Sequence, residues 1–128
     1  MGTKYLIDSN AVIDYLMGRL PDTGMTFMNE VINNIPYVSV ISKMEVLGYN
    51  AEPDSMSLLV DFFEDAVVFG LTDEVVDKTI ELRKLHRVKL PDAIIAATAL
   101  VNNLQIITRN ASDFKNILGL TTLDAHLE

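Results

Sequence analysis

Short apolar runs alternate along the chain with longer segments in which apolar residues recur every three or four positions. The runs predict buried strands at residues 4–7, 37–41, 66–69 and 104–107, with a last edge strand at 121–123. The run at 37–41, YVSVI, predicts a buried strand because it is short and rich in β-branched residues.

The segments between these runs are predicted to be helices. The first follows Asp8, a second carries apolar residues from Phe27 to Ile35, and a third opens at Ser42. Further helices are predicted at 54–65, from a cap at Thr72 or Asp73, at 92–101 with Pro91 as first residue, and at 112–118. Periodicity predicts the face that each of two helices turns to the core. In the helix at 54–65 it comprises Met56, Leu59, Val60 and Phe63, and in the next helix Val75, Val76, Thr79 and Ile80.

This alternation of strands and helices predicts an α/β fold with a mainly parallel sheet covered on both faces. A length of 128 residues without repeats, linkers or low-complexity tracts predicts a single domain over residues 1–128.

Composition excludes several kinds of chemistry. The chain has no cysteine, and its histidines, His86 and His126, lack metal-ligand spacing, so thiolate sites and histidine-based zinc hydrolysis are disfavoured. No apolar stretch approaches the roughly 18 residues of a membrane span, and the first residues do not resemble a secretory signal. We therefore expect a cytoplasmic protein without a membrane partner.

The net charge of −8 at first argues against a nucleic-acid partner, because phosphate-binding surfaces are normally basic. Carboxylates that hold divalent cations would account for part of the acidic excess, since the metal restores positive charge where a phosphate must lie.

Four acids are placed where such a site could form. Asp8 directly follows the first strand, Glu45 lies early in the helix after the second, and Asp113 follows the strand that ends at Ile107. Asp92 instead begins a helix, which could point to the same edge of the sheet. Mg²⁺ binds through carboxylate oxygens and keeps several waters, so a carboxylate cluster suits phosphodiester hydrolysis without a protein nucleophile.

Each acid also has a structural interpretation. Asp8 could cap a helix, and Glu45 could complete a capping box with Ser42 or pair with the nearby Lys43. Asp92 could complement a helix dipole, and Asp113 could be a surface turn residue.

The only basic concentration precedes Asp92 and comprises Arg83, Lys84, His86, Arg87 and Lys89. A solvated helix end with favourable dipole placement is the preferred interpretation, and an RNA-backbone rail leading to the acids is the alternative.

Four blocks of the chain resemble the signature blocks of PIN domains in order and separation. They are LIDSN at 6–10, SKMEVLGY at 42–49, LPDAIIAATAL at 90–100 and TRNASDF at 108–114. The third block is the most specific, and the compact size is most similar to VapC-type toxins of toxin–antitoxin pairs.

The resemblance implies an α/β/α sandwich, an acidic pocket for Mg²⁺ or Mn²⁺, cleavage of single-stranded RNA, a homodimer, and inhibition by an antitoxin protein. By position it makes Asp8, Asp92 and Asp113 metal ligands and Glu45 the acid that activates water. It also implies supporting roles for a set of polar neighbours, namely Ser9, Asn10, Thr108 and Asn110. Many relatives have a second acid where this chain has Asn110.

Two other functions compete with a metal-dependent ribonuclease. A catalytically weak, PIN-like binding module is disfavoured because all four acids are present. A phosphotransferase using Asp8 as an aspartyl-phosphate nucleophile is disfavoured because position 10 is Asn and no lysine ends a strand.

Overall fold

The computed structural model describes residues 3–127. Its five strands are β1 (Tyr5–Ile7), β2 (Tyr37–Ser39), β3 (Val67–Phe69), β4 (Gln105–Ile107) and β5 (Thr122–Leu123). Its α-helices are α1 (Ser9–Leu16), α2 (Asp22–Asn34), α3 (Val40–Leu47), α4 (Pro53–Asp65), α5 (Asp73–Leu85) and α6 (Leu90–Val101). One turn of 3₁₀ helix follows β4 at Ala111–Phe114.

The strands form one sheet in the order β3-β2-β1-β4-β5, and every pair is parallel. Alternate residues of each strand face opposite sides. Ile7, Val38 and Ile107 pack with helices α1 to α4, whereas Leu6 and Ile106 pack with α5 and α6. The predicted three-layer α/β/α sandwich is therefore confirmed.

The central position of β1 creates the crevice in which a site can form. From β1 the chain adds β2 and β3 on one side, and only later adds β4 and β5 on the other. In open α/β sheets, ligands bind beyond the carboxyl ends of the strands where this order reverses. Asp8 lies at that point, and its backbone N–H donates to the carbonyl of Ile107 at the end of β4.

The second strand is shorter than predicted, which shifts the next helix. The β-branched side chains of Val40 and Ile41 predict that the strand includes them, but α3 already begins at Val40. Ser39 ends the strand and caps the helix, since its Oγ accepts a hydrogen bond from Ile41 N at 3.1 Å. The prediction that Ser42 opens this helix is wrong, and Ser42 is instead buried inside it.

Two predicted inward faces are only partly correct. In α5, Val75 and Thr79 are buried, but Val76 and Ile80 are 40% and 51% exposed because Leu82 completes the packed face instead. In α4, Leu59 and Phe63 are buried and Met56 packs partly buried against the core, as predicted, but Phe62 is also buried and Val60 faces outward.

Three smaller predictions concern helix ends. Thr72 caps α5, as one of the two predicted alternatives, through a bond from Val75 N. Pro91 is the second residue of α6 rather than the first. The helix expected over 112–118 is only the 3₁₀ turn Ala111–Phe114.

Within residues 3–127, no helix is long and apolar enough to cross a membrane.

Candidate active site

Asp8 is a buried carboxylate held in place from both sides. Its Oδ1 accepts a hydrogen bond from Ser9 N at 2.8 Å, which caps α1, and its Oδ2 accepts one from Thr108 Oγ1 at 2.9 Å. Burial raises the pKa of Asp8, the bonds from Ser9 and Thr108 oppose the rise, and the charges of Asp92 and Glu45 add to it. The helix-capping interpretation of Asp8 is therefore correct. Capping does not explain why two further acids, Asp92 and Glu45, lie close enough to act on this carboxylate.

Thr108 connects the end of β4 to this carboxylate. Besides donating to Asp8, its Oγ1 accepts from Asn110 N at 3.0 Å and from Asn10 Nδ2 at 3.5 Å. Asn10 Oδ1 in turn accepts from Arg109 N at 2.9 Å. Asn10, Thr108 and the backbone of Asn110 therefore lie beside Asp8, while the Asn110 side chain is exposed.

Glu45 comes to the site from the second turn of α3, and its carboxylate is exposed. Its Oε1 accepts a hydrogen bond from Ser9 Oγ at 2.7 Å, which links α3 to the start of α1. Because Ser39 rather than Ser42 caps α3, the capping-box interpretation of Glu45 is wrong. Lys43, considered as a partner for Glu45, is exposed.

Asp92 lies in the first turn of α6 and is partly buried. Burial raises its pKa, the charges of Asp113 and Glu45 raise it further, and Lys89 opposes the rise. Asp113, in the 3₁₀ turn, is exposed. The fold therefore places Asp92 within electrostatic range of the other three predicted acids, and Glu45 within range of Asp8, at one edge of the sheet.

The four carboxylates supply the oxygen donors that divalent cations such as Mg²⁺ prefer. Among residues 3–127, no three acidic or histidine side chains are close enough together to hold one ion as they stand. Mg²⁺ commonly takes only one or two carboxylates directly and fills its other positions with water and phosphate oxygen. Carboxylate oxygens that lie close enough to repel one another suit a cation that would relieve their repulsion, so the chemistry of the donor set fits Mg²⁺ or Mn²⁺.

A network of polar contacts around Asp14, beside the site, is not predicted by the sequence analysis. Asp14 in α1 is 2% exposed, and its Oδ2 lies 3.2 Å from Arg109 Nη1 and 2.9 Å from His126 Nε2. Arg109 is the residue between Thr108 and Asn110, so this network anchors the turn after β4 to α1 and to the segment around His126. The available signal was an acid on the face of α1 next to Ala11, where a charge is not expected without a partner.

A family model for the PIN domain matches residues 5–120, which is most of the chain. The chain therefore belongs to the PIN-domain family. Comparison with curated protein sequences gave no match.

Solved structures of toxin–antitoxin complexes contain chains of similar fold. A chain of a toxin–antitoxin complex from Klebsiella pneumoniae is 27% identical, with a TM-score of 0.74 over 95% of this chain and 98% of that one. A chain of DNA-bound VapBC from Salmonella typhimurium is 20% identical, with a TM-score of 0.80 over 97% and 99% of the two chains. A chain of VapBC-1 from nontypeable Haemophilus influenzae is 23% identical, with a TM-score of 0.76 over 96% and 98%.

Proposed function

We propose that this protein is a metal-dependent endoribonuclease that hydrolyses phosphodiester bonds of single-stranded or loop RNA. The observation that carries the proposal is that carboxylates from four separate elements lie at one edge of the sheet, with Asp8 buried and Asp92 within electrostatic range of the other three. Membership of a family whose members are generally nucleases supports it.

In this proposal Asp8, Asp92 and Asp113 hold Mg²⁺ or Mn²⁺, directly or through water. A bound ion would neutralise the phosphate and lower the pKa of water near it. The hydrogen bonds from Ser9 N and Thr108 Oγ1 fix the Asp8 carboxylate in one orientation. Ser9 Oγ holds Oε1 of Glu45, which leaves Oε2 to accept a proton from the attacking water.

The same contacts disfavour the phosphotransferase alternative. An aspartyl-phosphate intermediate needs a carboxylate oxygen that can reach phosphorus. Both oxygens of Asp8 already accept hydrogen bonds, and the residue is 6% exposed. Each oxygen keeps a lone pair that a cation could use without moving the carboxylate, whereas attack would require the phosphorus atom itself to reach this buried oxygen.

The activity is tested with purified protein, an RNA pool and Mn²⁺ or Mg²⁺. We expect cleavage by the native chain, none in EDTA, and a loss of at least about 100-fold in Asp92→Asn and Glu45→Gln. Glu64→Gln serves as the matched control, because it removes one negative charge from an exposed position in α4. This variant should cleave RNA at the native rate. Cleavage by Asp92→Asn at the native rate would assign the activity to another site or to a contaminant, and a native chain that binds RNA without cutting it would favour the binding-module alternative.

We further propose that the protein acts in the cytoplasm as the toxin of a toxin–antitoxin pair, as a homodimer that an antitoxin protein inhibits. The toxin–antitoxin complexes in which similar chains occur support this step. Induced expression should arrest bacterial growth, and Asp92→Asn should not. Co-expression of the product of an adjacent short gene should restore growth, and sedimentation should give twice the chain mass. Equal arrest by the native chain and by Asp92→Asn would contradict the proposal.

A further inference from the structure

A cavity of about 460 Å³ lies beside the carboxylate cluster, between the α5–α6 connection and the 3₁₀ turn. Asp92 and Asp113 form part of its wall, so it opens onto the proposed catalytic site. Its volume falls within the range of about 300–1,000 Å³ that is typical of ligand sites.

Three arginine or lysine side chains line the same cavity, in a chain whose net charge is −8. Arg87 and Lys89 line it from the α5–α6 connection, and Lys115 lines it from the residue after the 3₁₀ turn. Their side chains are exposed and thus able to follow a flexible ligand. Lys89 opposes the rise in the pKa of Asp92 that burial and the neighbouring acids cause, so this cation acts at the edge of the cluster.

The helix dipole does not account for Arg87 and Lys89. Arg83 and Lys84 lie in the last turn of α5, where they complement its negative end. Arg87 and Lys89 come after His86, which ends the helix in an extended conformation. The basic segment therefore divides into a pair that stabilises the helix and a pair that lines the cavity.

We propose that this cavity binds the phosphate backbone of single-stranded RNA next to the bond that is cut, with Arg87, Lys89 and Lys115 as its phosphate ligands. The inference rests on the proposed function. The cations attract the phosphates on either side of the cleaved bond. The metal and the phosphate that is cut bind instead at the carboxylates. The described wall contains no phenylalanine, tyrosine or tryptophan, and His86 is the one ring in it on which a base could stack. The site therefore contacts mainly the backbone and is largely tolerant of base identity.

Binding is measured separately from cleavage, by fluorescence anisotropy of a labelled ten-nucleotide RNA in Mg²⁺ at several salt concentrations. Glu45→Gln serves as the common background, and a gel confirms that the RNA stays intact. We compare Arg87→Gln/Lys89→Gln and Lys115→Gln with the matched control Arg83→Gln/Lys84→Gln, which changes the charge equally but lies outside the cavity.

We expect the Arg87/Lys89 double variant to weaken binding about tenfold or more and to lower the salt slope by about 0.7 for each lost phosphate contact. Lys115→Gln should lower the slope by about 0.7, and the control should leave it unchanged. Oligomers of U, A and C should bind with similar affinity.

Equal losses in the control and cavity variants would overturn the proposal, because net charge alone would then explain binding. RNA affinity that the cavity variants leave unchanged would also overturn it, and competition by an acidic peptide at the same residues would then assign the cavity to a protein partner. A native chain that fails to cut RNA, while the binding differences persist, would refute the nuclease function and leave the cavity assignment intact.

Discussion

Ser9 Oγ donates a 2.7 Å hydrogen bond to Glu45 Oε1 across 36 positions of sequence. The same residue donates its backbone N–H to Asp8 Oδ1 at 2.8 Å. Ser9 therefore contacts both the buried carboxylate of Asp8 and the exposed carboxylate of Glu45, and it holds the proposed cation ligand and the proposed proton acceptor at a set separation.

Ser9→Ala should reduce kcat for RNA cleavage about 10- to 100-fold with little change in KM, because an exposed Glu45 loses its orienting partner. Ser9→Thr retains the hydroxyl and should recover most of the rate. Single-turnover and steady-state kinetics separate the two constants, and Ser57→Ala on α4 is the control. A change in KM alone, or no recovery in Ser9→Thr, would contradict this positioning role.

Divalent cations should stabilise the native chain because they relieve repulsion among the four carboxylates. At a metal concentration ten times Kd, linkage gives about 1.4 kcal/mol in the free energy of unfolding. Thermal melts with Mn²⁺ or Mg²⁺ should show this as a rise in Tm, and Asp8→Asn should show a much smaller rise. Equal shifts in the two proteins would place the metal elsewhere.

The raised pKa values of Asp8 and Asp92 predict how stability in EDTA depends on pH. Both values lie above the ordinary 3.8 because burial favours the neutral form, so the folded chain binds more protons than the unfolded chain above that pH. Their contribution to the free energy of unfolding is complete below pH 3.8 and is lost as pH rises through the raised values.

Asp92→Asn removes one of these two titrations and therefore tests the sign. In EDTA at neutral pH the variant should unfold at higher urea than the native chain, by less than about 1 kcal/mol since Asp92 is partly exposed and its helix dipole offsets some of the gain. Near pH 3.5 the two should converge, and saturating Mn²⁺ should reverse the order. A variant less stable than the native chain at neutral pH in EDTA would contradict the repulsion between these acids.

Asp14 should matter for stability more than any exposed acid. Asp14→Asn weakens its contacts with Arg109 and His126 inside the fold and should lower the free energy of unfolding by about 1–3 kcal/mol. Urea denaturation measures the loss, with the exposed Asp61→Asn in α4 as the control. Equal effects of the two changes would show that the Asp14 contacts contribute no net stability.

The parts of this structure that sequence could predict are those fixed by local pattern. A buried apolar run followed by Asp8 identifies both a strand end and an acid at the edge of the sheet, and the motif blocks place Asp92 in the first turn of its helix. The β-branched pair Val40 and Ile41 favoured a strand, whereas the Ser39 cap and packing on the sheet made that segment helical.

Other features depend on contacts between distant segments. Asp14 and Arg109 are 95 positions apart, and nothing in either neighbourhood specifies the other. The division of the basic segment also required the structure, since Arg83 and Arg87 differ only in whether α5 has ended.

The placement of β1 at the centre of the sheet has a consequence for the order in which the fold can be completed. β1 pairs on one side with the nearby β2, but its other partner, β4, and the Thr108 bond to Asp8 lie about 100 positions later in the sequence. The carboxylate cluster therefore cannot form until β4 has docked on β1, and the edge of β1 that β4 covers stays unpaired until then. For a protein proposed to cut RNA, this long-range closure makes activity depend on completion of the sheet.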